Sequence, residues 1–181
     1  RALAEIVFGE VNPSGKLPIT VPYSVGHLQA IYNHKPSALI RRYADAPTNN
    51  LHEFGDGLSY TQFEYAQARL SSSTIGKSES TKLSVTLLNK GKRAGDEVVQ
   101  LYIRDDYSLV TRPVKELKGF TRVSLEPGEK REIHFDITAD MLAYYDQDMN
   151  WQVEAGDFSI MVGGSSRDPD LEVVKLNVQS D

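Results

Sequence analysis

The chain has 181 residues with 20 Lys+Arg against 25 Asp+Glu, a formal charge of −5, 40% hydrophobic residues and no cysteine. This is the composition of a globular domain with room for a smaller second piece, and it excludes disulfides, thiolate metal sites and cysteine nucleophiles together. No apolar run approaches the roughly 20 residues of a membrane-spanning helix, and an acidic chain without a Lys/Arg cluster lacks the contacts that give nucleic-acid binders their affinity; neither membrane nor nucleic acid is an expected partner.

In chain order, Leu3, Ile6 and Val7 recur at helical spacing and Gly9 follows in a C-cap position, so residues 1–8 read as a short helix. A helix of that length is marginal by itself. Its start at Arg1 leads us to expect the last turns of a helix belonging to a preceding domain. Residues 1–10 lack the apolar core and small-residue cleavage site of a signal peptide. Asn12-Pro13-Ser14-Gly15 is a turn signal, and Lys16 to Pro22 alternates apolar residues in an extended piece that Pro18 confines to a sheet edge or to irregular structure. Residues 23–57 read as a long connection, a length that points to a functional loop, a linker or an arm lying on another body.

Beyond Gln62 the period changes to two. Leu83, Val85 and Leu87, then Val99, Leu101 and Ile103, then Ile133, Phe135 and Ile137, then Phe158, Ile160 and Val162 each mark a strand with one buried face. Val174, Leu176 and Val178 follow Leu171 and Val173 with a change of phase, which predicts a bulge. Turns at Asn89-Lys90-Gly91, Glu126-Pro127-Gly128-Glu129 and Ala155-Gly156-Asp157 are expected to close hairpins, and Thr138 is expected to cap a helical turn over 139–142. The fold class is therefore mainly β: an antiparallel β-sandwich of the fibronectin type III or immunoglobulin-like kind, preceded by an irregular arm. The division falls at 1–62 and 63–181.

The candidate chemistry is thin. Asp105 and Asp106 are adjacent, hence on opposite faces of an extended chain, and read as solvated loop charges. Asp146 and Asp148 are spaced for a hard cation but also read as a hairpin tip. His52-Glu53 lacks the second histidine of a zinc helix. No metal, no cofactor and no catalytic residue is expected in this chain. The segment carrying His27, Tyr32, His34, Lys35, Arg41, Arg42, Tyr43 and Asp45 combines aromatic and hydrogen-bonding groups that would suit a sugar; the competing reading is that the same residues hold the arm to a neighbouring body.

Several ordered motifs resemble glycoside hydrolase family 3. Phe8-Gly9-Glu10-Val11-Asn12-Pro13-Ser14-Gly15-Lys16-Leu17-Pro18 is similar to the end of that family's α/β-sandwich domain. Tyr32-Asn33-His34-Lys35-Pro36 and Phe54-Gly55-Asp56-Gly57-Leu58-Ser59-Tyr60 are similar to its linker. Val98-Val99-Gln100-Leu101-Tyr102, Arg112-Pro113-Val114-Lys115-Glu116-Leu117-Lys118-Gly119-Phe120 and Leu125-Glu126-Pro127-Gly128-Glu129 resemble its fibronectin type III-like domain. Glu53 and Asp56 depart from the pattern, which commonly has proline and an aromatic residue or histidine there.

The resemblance implies the C-terminal part of a retaining exo-acting β-glycosidase, foremost a β-glucosidase, with its Asp nucleophile and Glu acid/base upstream of this sequence. Its expected partners are the N-terminal catalytic domains, a β-linked oligosaccharide or glucoside substrate, and, as a further candidate, a second copy in a homodimer. His34, Lys35, Arg42, Tyr43 and Asp45 are the residues expected at a substrate rim, and the compartment expected is periplasmic or extracellular. The alternative is a stand-alone β-sandwich that binds carbohydrate or protein, or mediates adhesion, without catalysis. The first reading predicts that Leu3, Ile6, Val7, Phe8, Leu17, Ile19 and Val21 form an apolar surface needing a partner; the second, that they fold onto the sandwich of the same chain.

Overall fold

The structure, a computed structural model, describes residues 1–27, 30–36 and 45–180. The chain opens with helix α1 (Ala2–Val7), which ends as the sequence predicts. Gly9 adopts φ +77°, and the Gly9 and Glu10 N–H groups donate to the Ile6 and Glu5 carbonyls, the paired bonds that close a helix when the residue past its end turns left-handed. No residue of α1 is buried.

The sandwich consists of β1 (Phe63–Leu70), β2 (Thr74–Gly76), β3 (Thr81–Asn89), β4 (Gly95–Asp105), β5 (Glu116–Leu125), β6 (Lys130–Ile137), β9 (Gly156–Gly163) and β10 (Glu172–Gln179), with helix α2 (Ala139–Leu142) and the small hairpin β7 (Tyr144–Tyr145) and β8 (Trp151–Gln152) at one end. One sheet has the order β1-β3-β6 and the other β2-β10-β9-β4-β5. Every ladder is antiparallel except the β2–β10 pair. Leu83, Val85, Leu87, Val99, Leu101, Ile103, Phe158, Ile160, Leu176 and Val178 meet between the sheets, and each such side chain contributes roughly 1.5–3 kcal/mol by leaving water.

Several expectations are corrected. The turns at 89–91, 126–129 and 155–157 close no hairpin: β3 and β4 lie in different sheets, as do β5 and β6 and also β8 and β9, so the first two turns carry the chain across the sandwich and the third leads from the small hairpin into β9. No bulge interrupts β10, whose register with β9 runs unbroken from Glu172 to Val178. Leu171 lies before the strand, behind the 3-10 turn Asp168–Asp170, and Val173 faces outward at 52% exposure while Val174 packs on the core. The irregularities sit instead between Ala66 and Arg69 of β1, where Gln67 has φ 58°, and between Leu101 and Tyr102 of β4. Thr138 precedes α2 but makes no side-chain capping bond.

Asp105 is no solvated charge. Its side chain is 1% exposed and pairs with Arg112 at 3.1 Å, while Asp106 reaches the other way to Lys175 and Ser159. Burial raises the pKa of Asp105 and the Arg112 guanidinium opposes that rise. Asp146 forms the hairpin tip, its Oδ1 accepting from the Asp148 and Asn150 N–H groups and its Oδ2 from Asn150 and Gln152. The most informative correction concerns β4 and β9, which are buried on both faces. The outward Gln100, Tyr102, Ser159 and Met161 are covered because the arm lies across that face of the larger sheet.

Candidate functional site

The arm is held to the sandwich by the motifs that carry the family resemblance. Tyr32 stacks on Phe54 with ring centroids 4.3 Å apart, sets its edge on Tyr102 at 5.9 Å, and its hydroxyl accepts from the Leu117 N–H. His34 O accepts from the Val114 N–H at 3.0 Å. Gln100 spans the junction, accepting from the Tyr102 hydroxyl and donating through Nε2 to the Gly164 and Gly55 carbonyls. Asn12 accepts through Oδ1 from Ser59 Oγ and the Tyr60 N–H, and donates through Nδ2 to Ala94 O. Lys16 and Glu97 form a largely buried ion pair at 2.8 Å, to which the Tyr65 hydroxyl adds a hydrogen bond.

Glycine is required where these pieces touch. At Gly55, with φ +81°, a Cβ would lie 2.2 Å from Gln100 Oε1; at Gly57 it would lie 2.5 Å from the Gly15 carbonyl oxygen. The departures at 53 and 56 form a unit of their own. Asp56 Oδ2 accepts from the Glu53 N–H at 2.9 Å and from Arg167 at 2.6 Å. Proline at 53 would have no N–H to give. Burial raises the Asp56 pKa, but the Glu53 N–H and Arg167 outweigh it and hold the carboxyl below its ordinary value. Beside it the Ser166 N–H donates to Phe54 O, and buried Lys115 donates to Ser166 O at 2.8 Å and to Asp168. The β9–β10 loop is thus gripped from the arm on one side and from Lys115 on the other.

Two of the cavities are bordered by the arm. One of about 800 Å³ is mainly apolar and lies within the first part of the chain, lined by Ile6, Pro13, Leu17, Val21, Gly57 and Leu58 among others. The second, of about 560 Å³, lies between the arm and the outer face of the larger sheet, with His34, Asn49, Asn50 and Glu53 on one side and Arg104, Met161 and Val173 on the other. Of the five residues expected at a substrate rim, His34 lines this second cavity. Lys35 and Asp45 are exposed and line neither cavity. Arg42 and Tyr43 lie outside the described residues. Tyr32 lines this second cavity beside His34 while stacking on Phe54, and His27 is buried. Sequence reasoning did not find Arg104, Asn50 or Met161, since their common position depends on how the arm folds back onto β4 and β9, which no local pattern encodes.

The buried carboxylates Asp105 and Glu97 are each committed to a cation, an arrangement that holds loops and segments together. No group of three or more His, Asp or Glu able to hold a metal occurs among the described residues.

A two-sheet antiparallel sandwich with an arm locked across one face defines the class, and comparison with known proteins sharpens it. Residues 1–60 match the glycosyl hydrolase family 3 C-terminal domain, and residues 97–166 match the fibronectin type III-like domain. The chain belongs to glycoside hydrolase family 3, within the C-terminal region of its members. It is similar to a β-xylosidase of Formosa agariphila, 42% identical over 98% of this chain and 25% of the relative, and to a periplasmic β-glucosidase of Salmonella typhimurium, 39% identical over 92% of this chain and 23% of the relative. Among solved structures, a β-glucosidase of Erythrobacter marinus superposes with a TM-score of 0.93 at 41% identity, covering 98% of this chain and 23% of that one. The chain therefore spans about a quarter of the length of the curated relatives it matches.

Proposed function

We propose that this chain is the C-terminal portion of a retaining, exo-acting β-glycosidase, a β-glucosidase first and a β-xylosidase second, whose nucleophile and acid/base lie in domains outside this sequence. The observation that carries the reading is the apolar surface of the first part. Leu3, Val7, Phe8, Ile19 and Leu58 are 63–86% exposed, and Leu58 lines the apolar cavity together with Ile6 of α1. Monomers seldom leave such clusters open to water. The catalytic domains are the partner that fits, and the stand-alone module would instead fold these residues onto its own sandwich.

In this reading residues 1–62 finish the α/β-sandwich domain and supply the linker, and residues 63–181 form the supporting sandwich; the start of β1 at Phe63 agrees with that division. The arm carrying His34, Lys35, Arg42, Tyr43 and Asp45 is proposed to reach a substrate rim or a second subunit. The compartment proposed is periplasmic or extracellular, supported by the periplasmic relative. Hydrolysis of aryl β-D-glucosides and β-D-xylosides by the enzyme that contains this chain tests the reading. Turnover of the glucoside above the xyloside is expected, and turnover of neither would overturn it.

A further inference from the structure

The cavity between the arm and the outer face of β4 and β9 has the chemistry of a small-ligand site. Its volume of about 560 Å³ lies in the range of pockets that take a small molecule, about 300–1,000 Å³. Half-exposed Val173 gives it an apolar floor, with the largely buried Met161 at its edge. Around that floor stand a donor, Arg104, and acceptors on Asn50 and Glu53.

Charge decides the ligand class. Of the charged groups lining the cavity, Lys115 and Asp168 pair with each other, and Arg167 is committed to Asp56 and Asp170 outside it. Among the described residues that leaves Arg104 and Glu53, the latter also within the field of the Arg167 guanidinium. Arg104 has one carboxylate contact among the described residues, at 3.9 Å to Asp106, which Lys175 already holds at 2.6 Å, and Glu53 accepts from the neutral Asn50 amide at 3.0 Å and 3.1 Å. A phosphate or carboxylate would meet Glu53 unpaired, and an amine would meet Arg104. A neutral molecule with an apolar C–H face and a rim of hydroxyls satisfies both and covers the floor.

We propose that this cavity binds a neutral pyranose, its C–H face on Val173 beside Met161 and its hydroxyls on Arg104, Glu53 and Asn50. The preference for a β-linked pyranose over other neutral polyols rests on the β-glycosidase reading, whereas the cavity and its charge balance do not. Failure of sugar to bind here would leave hydrolysis of aryl glycosides by the whole enzyme untouched, so the two readings fail separately.

Saturation-transfer NMR on the full 181-residue chain tests the proposal, with methyl β-D-glucopyranoside, methyl β-D-xylopyranoside and glucose 6-phosphate as separate probes. Saturation is expected on the ring C–H protons of the neutral glycosides. Arg104→Ala, which changes a half-exposed side chain outside the sealed core, is expected to weaken binding about tenfold, the size of one charge-assisted hydrogen bond. Val173→Trp, which fills the floor from a half-exposed position, is expected to abolish it. No transfer to either neutral glycoside, transfer that Arg104→Ala leaves unchanged, or stronger binding of glucose 6-phosphate than of the methyl glucoside would each overturn the proposal.

Discussion

Gly55 and Gly128 share a left-handed backbone, φ +81° and +77°, but differ in their surroundings. A Cβ at 128 meets nothing within 4 Å, whereas one at 55 would strike the Gln100 side chain at 2.2 Å. Gly128→Ala is expected to cost only the backbone term, about 1 kcal/mol. Gly55→Ala adds displacement of Gln100 from the Gly164 carbonyl and is expected to cost about 2–4 kcal/mol in urea unfolding. Equal costs would show that the Gly55–Gln100 contact is slack. Asp56 gives a pH test at the same junction. Its folded-state pKa is depressed below 3.8, so its stabilising contribution is complete above the unfolded carboxylate range and is lost as pH falls through the folded value. Asp56→Asn is therefore expected to flatten the decline in stability below about pH 4, and an unchanged decline measured by thermal melts would contradict the assignment.

At the scale of elements, the β9–β10 loop is the piece whose order depends on few bonds. Lys115→Met keeps the buried stem packed but leaves the Ser166 carbonyl without its ammonium donor, a loss of about 1.5–3 kcal/mol for a hydrogen bond to a charged group. Amides of residues 164–168 are then expected to exchange roughly tenfold or more faster while those of β3 stay protected. Uniform acceleration through the core would mean that Lys115 supports the whole sandwich instead. The strands themselves were legible because Leu83, Val85 and Leu87, or Phe158, Ile160 and Val162, face one core with period two. β1 and β5 were less so. Gln67 breaks the period of one with its positive φ, and Gly119 and the outward Phe120 break that of the other. The cover on Gln100 and Tyr102 was not legible at all, since an alternating strand under an arm has the same local sequence as one under water. For the same reason His34 could be named as a candidate while Arg104, brought to it by the fold alone, could not.

For the whole molecule the decisive feature is asymmetry. The sandwich seals its own core, whereas the first part leaves Leu3, Val7, Phe8 and Leu58 open. Covering about 300 Å² of apolar surface would contribute roughly 7 kcal/mol before the costs of association are subtracted. Phe8→Ser in the assembled enzyme is accordingly expected to lower its thermal stability while leaving the unfolding of the sandwich itself unchanged; a shift in the sandwich transition would place Phe8 in the wrong interface. If the nucleophile and acid/base lie upstream, hydrolysis resides outside this chain. The measurement is the release of nitrophenol from an aryl β-D-glucoside by three preparations: this chain alone, the upstream domains alone, and the two combined. No turnover is expected from this chain, little from the upstream domains with their apolar face uncovered, and activity from a complex that co-sediments. Turnover by this chain alone would place catalytic groups within it, and full activity of upstream domains that neither bind it nor gain from it would rule out its supporting role.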